Sequence, residues 1–251
     1  MRVGLFATCL VDLLRPSVGF AAAKLLEQSG CEVVVPRSQT CCGQPAYNNG
    51  DRKTAAQLAK QVIDSFYRYD YVVVPSASCG GMIKIHYIEL LKDEPDYCVK
   101  ATALAERCYE LTSFLVDVLQ HRSINSTYAG QLTYHDSCSS LREMNIKQQP
   151  RRLLTNITGG QLKEMDGTED CCGFGGTFCV KYPAISTRMV NNKVDRICKS
   201  GADTLVAADL GCLLHISGRI KRLGLPIKVF HVAEVLAGMA TGPGIGEEEA
   251  V

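Results

Sequence analysis

A cysteine pattern written twice constrains this chain more than any other feature. Cys9 is followed after 31 residues by the adjacent pair Cys41-Cys42, then Gly43, with 36 residues between the pair and Cys79. Cys138 is followed after 32 residues by Cys171-Cys172, then Gly173, with 39 residues between the pair and Cys212. Two independent sets of spacings rarely agree this closely by chance, so the chain reads as an internal duplication. Whatever it folds into must consist of two similar halves.

The local patterns repeat with the cysteines. Short apolar runs bounded by Gly or Pro alternate with stretches of helical period. In the first half strands are expected over 2–8, 32–36 and 71–75, and helices over 18–29, 51–67 and 80–91. In the second half strands are expected over 131–135, 161–165, 204–207 and 227–231, and helices over 150–156, 183–200, 210–223 and 232–237. A helix over 102–119 and a polar stretch join the two. Alternating strands and helices predict an α/β fold: internally duplicated, two lobes each with a small parallel sheet flanked by helices. The expected division is a first repeat over 1–120, a linker over 121–130, a second repeat over 131–237 and a disordered tail over 238–251. Functional groups of such sheets gather at the carboxyl ends of strands. Each cysteine set can therefore converge there.

Composition narrows what the cysteines are for. With 251 residues and 46% hydrophobic side chains the chain can bury a real core, which excludes disorder. The net charge of +1 offers no basic surplus for nucleic acid. No apolar run approaches the ~20 residues of a membrane span, and the N-terminus lacks the long apolar region of a signal peptide. A cytoplasmic location is expected. There, thirteen cysteines are better read as metal ligands or redox groups than as disulfides.

Adjacent cysteines pair poorly with each other but suit neighbouring irons of one cluster. The Gly after each pair lets the backbone turn tightly beside a bulky inorganic core. Four cysteines per half would satisfy a four-iron cluster or a tetrahedral zinc. Zinc sites usually draw on C-x₂₋₄-C knuckles, and the chain contains no C-x-x-C. Iron–sulfur is the stronger reading, with zinc left open as an alternative or substitute.

The doubled motif resembles the cysteine-rich CCG domain, which includes the heterodisulfide reductase B subunit and the glycolate oxidase iron–sulfur subunit. The strings TCLVDLLRPSVG, TCCGQPAYNNG, PSASCGGM, HDSCSSLRE, CCGFGGTFCVKYP and DLGCL are similar to the lactate utilization protein A (LutA, YkgE) branch of that family. The resemblance implies that Cys9, Cys41, Cys42 and Cys79 hold one [4Fe–4S] cluster and Cys138, Cys171, Cys172 and Cys212 a second. It also implies partners, a LutB-like iron–sulfur protein and a LutC-like protein, that together oxidise L-lactate to pyruvate. Relatives with the full motif carry a fifth cysteine per repeat. Here Ser76 and Asp209 stand in its place, and Asp209 is a candidate carboxylate ligand. That departure puts the family's non-cubane cluster form in question.

Other residues have blander readings. Cys31, Cys98, Cys108 and Cys198 are expected as small buried hydrophobes. Cys179, close to the CCGFGG loop, is a minor candidate ligand. His135, three residues before Cys138, could donate to a cluster sulfur but is expected to be structural, as are His86, His215 and His231. Arg142 and Arg188 are expected in surface ion pairs. Phe174-Gly175-Gly176 lacks the surroundings of a phosphate loop. No catalytic side chain is assigned. The leading expectation is an electron-transfer subunit for L-lactate oxidation. The alternatives are a heterodisulfide or thiol–disulfide reductase-like subunit and a zinc-stabilised interaction module. Asp209, His135 and the Gly-rich loop after Cys172 lead to the expectation that the second half holds its cluster more tightly.

Overall fold

The computed structural model describes residues 1–247. Eight strands form two four-stranded sheets, all parallel. The first contains β1 (Arg2–Leu5), β2 (Glu32–Val34), β3 (Tyr71–Val74) and β4 (Cys108–Glu110) in the order β2-β1-β3-β4. The second contains β5 (Thr127–Tyr134), β6 (Thr158–Leu162), β7 (Thr204–Ala207) and β8 (Lys228–His231) in the order β6-β5-β7-β8. The two sheets have one topology, and helices flank both. The central strands β3 and β7 are almost wholly buried, which is why YVVV and TLVA read as continuous apolar runs without alternation.

The helices that cover the sheets arise from spacing and caps. Arg52–Phe66 buries Ala55, Ala59, Val62, Ile63 and Phe66 along one stripe, and its N-cap Asp51 accepts from the Thr54 amide at 3.1 Å. Its counterpart Pro183–Ser200 starts on a proline and stops at Gly201, whose φ of +70° few other residues adopt. The lobes interlock. Helix Pro16–Gln28 of the first packs on Val232–Leu236 of the second, and Gln148–Leu154 of the second packs on 111–118 of the first. One apolar core consequently runs through both lobes, joining Val3, Leu5 and Leu25 to Leu132, Val206 and Leu236. A second core, around Phe6, Ile63 and Met82, lies within the first lobe.

Buried ionic contacts close the same seam. Glu234 is fully buried and accepts from Arg15 Nε at 2.8 Å and Ser17 Oγ at 2.7 Å across the lobes. Among the described residues no helix is long and apolar enough to cross a membrane.

Three expectations need correction. The helix expected over 102–119 is instead Pro95–Glu106, then β4, then a helical stretch over 111–118. Pairing with β3 claims Cys108–Glu110, and the Glu110 side chain caps the helical stretch after it by accepting from the Thr112 amide at 2.8 Å. Tertiary pairing overrides local helical pattern here. The expected linker 121–130 contains the start of β5, bent by a register shift between Thr127 and Gly130. In the tail, 238–247 is packed: Ile245 is buried and donates its amide to the Val229 carbonyl at 2.7 Å, and Arg15 bonds the Pro243 carbonyl. The remainder of that tail, 248–251, lies outside the described residues.

Candidate functional site

In each sheet the strand order reverses beside the central strand, so chain crossovers leave a crevice at the strands' carboxyl ends. Cys9 and Cys138 begin short helices there, capped by Thr8 and Ser137. Cys79 and Cys212 lie in the first turns of helices Ala77–Gly81 and Leu210–Arg222. Backbone N–H groups at helix starts favour thiolates and anionic ligands. The pairs Cys41-Cys42 and Cys171-Cys172 come in from loops after β2 and β6, each ended by a glycine at positive φ, +84° at Gly43 and +87° at Gly173. A Cβ at Gly173 would lie 2.8 Å from the Ser186 carbonyl, and one at Gly43 would lie 3.4 Å from that of Ala55. Each turn is pressed against the long helix behind it.

These turns bring the predicted ligands together. Cys9 Sγ lies 3.9 Å from Cys41 Sγ, and Cys42 Sγ lies 3.3 Å from Cys79 Sγ. In the second lobe Cys171 pushes the Cys138 thiol up, and Cys171 and Cys212 push that of Cys172 up. All thirteen cysteines are free thiols. Hydrogen bonds from Cys42 and Cys9 push the Cys41 thiol down to about 2, and bonding to Cys41 pushes both of those up. Cys171 is likewise pushed down to about 2 by Cys138 and Cys172. Four thiols already sharing protons suit a metal centre that needs thiolates. Backbone amides also point at the sulfurs. Gly43 donates to Cys41 and Gly173 to Cys171, each at 3.4 Å, and the second set gains Phe174 N to Cys172 Sγ at 3.4 Å.

The two sets open into neighbouring cavities of about 150 and 230 Å³. Gln44, Asn48, Ser78, Phe174, Gly176 and Asp209 line both, so the sets face one cleft between the lobes. Phe174 packs across Gly211, where a Cβ would meet its ring at 2.7 Å. At this cleft the two positions that depart from the family motif meet. Asp209 Oδ2 accepts from the Ser78 amide at 3.0 Å and from Ser76 Oγ at 3.3 Å. The candidate carboxylate ligand thus reaches into the other lobe and caps its helix.

The second set has additions that sequence reasoning underweighted. His135 is fully buried, both ring nitrogens are unpartnered, and its ligand atom lies within 4.8 Å of those of Cys172 and Cys212. Burial and then the Lys193 ammonium push it down to about 3, so the ring is neutral at pH 7. Lys193 is buried too, donating to the Gly167 carbonyl at 2.7 Å and that of Thr168 at 3.2 Å. Burial pushes it down to about 8, still cationic at neutral pH. A lysine inside the stripe Ser186, Val190, Val194, Ile197 was the visible signal.

The remaining candidates lie apart from the sulfurs. Cys179 donates to the Gly176 carbonyl within its own loop. Cys31 and Cys108 are buried as expected and Cys98 is partly so, but Cys198 is exposed on its helix. His231 caps the last helix, His86 meets Glu143 across the lobes at 3.3 Å, and His215 meets Ser186.

The model of the cysteine-rich domain called CCG matches residues 3–84 and 132–217, one match per lobe. A lactate utilization protein A from Halalkalibacterium halodurans is 50% identical over 94% of this chain and 96% of its own length. One from Bacillus cytotoxicus is 46% identical over 94% and 98%. Among solved structures, a hypothetical protein from Helicobacter pylori superposes with a TM-score of 0.64 at 14% identity, covering 99% of this chain and 49% of that one. That likeness concerns the fold alone.

Proposed function

The chain belongs to the lactate utilization protein A branch of the cysteine-rich CCG domain family, and from that premise we propose that it serves L-lactate oxidation to pyruvate as a cytoplasmic iron–sulfur electron-transfer subunit. The observation that carries this reading is the convergence of two four-thiol sets on one cleft. Cys9, Cys41, Cys42 and Cys79 would hold one cluster, and Cys138, Cys171, Cys172 and Cys212 the other. The donor sets fit: each offers four free thiols, with amide donors aimed at sulfur in both. When bound, a [4Fe–4S] cluster at each set supplies one-electron transfer, and L-lactate releases two electrons and two protons on becoming pyruvate.

This chain's own residues hold, orient and dry the site. Helix starts at Cys9 and Cys138 direct N–H groups toward negative charge. Gly43 and Gly173 let the paired cysteines face inward, and Phe174 covers the space between the sets. The partners are a LutB-like iron–sulfur protein, which accepts single electrons, and a LutC-like protein. A strain lacking this chain and every other lactate dehydrogenase is expected to lose growth on L-lactate. The parent gene restores it; a gene carrying Cys42→Ser and Cys172→Ser does not. Growth without the chain in that background refutes the assignment.

A further inference from the structure

The duplication allows the two sites to be compared position by position. The amide of Phe6 donates to the Val73 carbonyl at 2.9 Å, and that of His135 donates to Val206 at 2.9 Å. Phe6 and His135 therefore occupy the same place beyond the first strand of their lobes. Behind the paired cysteines, Gly43 sits against Ala55 and Leu58, and Gly173 against Ser186 and Met189. The long helices thus align with an offset of 131, which places Lys193 where the first lobe has Val62. Both Phe6 and Val62 are fully buried. At these two positions the first site has hydrocarbon and the second an imidazole and an ammonium.

We infer that the two sites are built with different reduction potentials, the second lying above the first because Lys193 and His135 stabilise added negative charge there. This rests on reading both sets as iron–sulfur sites. Potentials of such centres depend on nearby charge, hydrogen bonds to sulfur and burial. The Lys193 ammonium donates to two carbonyls, and Asp136, the acid that acts on it electrostatically, is already held by Arg151 at 2.7 and 2.9 Å. Its positive charge acts on Cys171, Cys172 and Cys212 at low dielectric, whereas Asp209, the carboxylate that acts on Cys138 and Cys212, lines both sites and is held by Ser76 and Ser78 of the first lobe. His135 places a polar, unpartnered ring nitrogen within 4.8 Å of the Cys172 and Cys212 sulfurs, which Phe6 cannot. The extra amide, Phe174 N on Cys172, acts in the same direction. An electron shared between the sites rests on the second, oxidising the first by one electron as it reduces the second by one.

The test is a potentiometric titration of anaerobically reconstituted protein, monitored by electron paramagnetic resonance. Cys41→Ser/Cys42→Ser and Cys171→Ser/Cys172→Ser variants assign each signal to its lobe. Two separate one-electron steps are expected, the higher from the second lobe. Lys193→Met keeps the buried stem and removes the charge. It is expected to shift the second site's reduction equilibrium at least tenfold, about 59 mV for one electron, and to leave the first unmoved. His135→Phe installs the first lobe's own residue and is expected to lower the same potential by less. It reads the same asymmetry if the lysine variant fails to fold. Equal potentials in the parent, or variants that shift both sites alike, overturn the inference while leaving the iron–sulfur reading intact. Protein that holds no iron and no acid-labile sulfide overturns both.

Discussion

Replacing Asp209 with Ala tests whether this carboxylate is a latch between the lobes or a metal ligand. In the structure Asp209 is buried, and its Oδ2 accepts from the Ser78 amide at 3.0 Å and Ser76 Oγ at 3.3 Å. A hydrogen bond to a charged group contributes about 1.5–3 kcal/mol net. The second bond is long, so the two together should be worth about 2–4 kcal/mol. Ser76→Ala removes the weaker bond together with the Ser76–Ser78 hydroxyl contact at 3.1 Å and should cost about 1–2 kcal/mol. Urea unfolding of the chelator-treated, reduced protein measures both, and the double variant gives their coupling. A loss under about 0.5 kcal/mol for Asp209→Ala, with iron content falling sharply, would refute the latch and return Asp209 to the ligands.

The same geometry sets four further outcomes. Gly173→Ala should destabilise the metal-free protein by about 2–4 kcal/mol and Gly43→Ala by about 1–2, since both sit at positive φ but only Gly173 is 2.8 Å from a carbonyl; equal losses in urea unfolding would count against this. Arg15→Ala leaves the buried Glu234 without its counter-charge, held only by Ser17 and the His231 amide, and should cost about 3 kcal/mol, whereas a surface-like loss under about 1 kcal/mol would mean the pair is not closing the seam. Cys171→Ala or Cys172→Ala should remove more iron from reconstituted protein than Cys41→Ala or Cys42→Ala, because the Phe174 amide has no counterpart among the amide donors of the first set. Burial pushes Glu110 up to about 7, so folding favours its protonated form; its contribution is full below about 4.5 and is lost as pH rises through 7. Glu110→Gln should therefore flatten the stability–pH curve between those values by about 2–3 kcal/mol, and an unchanged slope would contradict the cause assigned.

Much of this was legible because a duplicated chain carries its own comparison. The spacings located the eight thiols, the Gly after each pair announced a positive φ, and the alternation of YVVV- and TLVA-like runs with helices pointed to two parallel sheets. The features that stayed hidden depended on contacts between the halves or on identity changes inside a repeat. Strand β4 looked helical in isolation, although aligning it with the expected strand at 227–231 would have exposed it. Ser76 and Asp209 read as two separate losses of a cysteine; no spacing rule says they would bond each other across the cleft. Lys193 was visible as a charge in an apolar stripe, but its direction depends on the fold of 166–170, an irregular loop that sequence leaves open.

The most direct test of the central claim is metal and acid-labile sulfide analysis of protein purified without oxygen. Two sites of four thiols each predict about eight iron and eight sulfide per chain, falling to about half when either cysteine set is replaced by serine. Zinc in both sites with no labile sulfide would contradict the account and leave a metal-stabilised interaction module in its place.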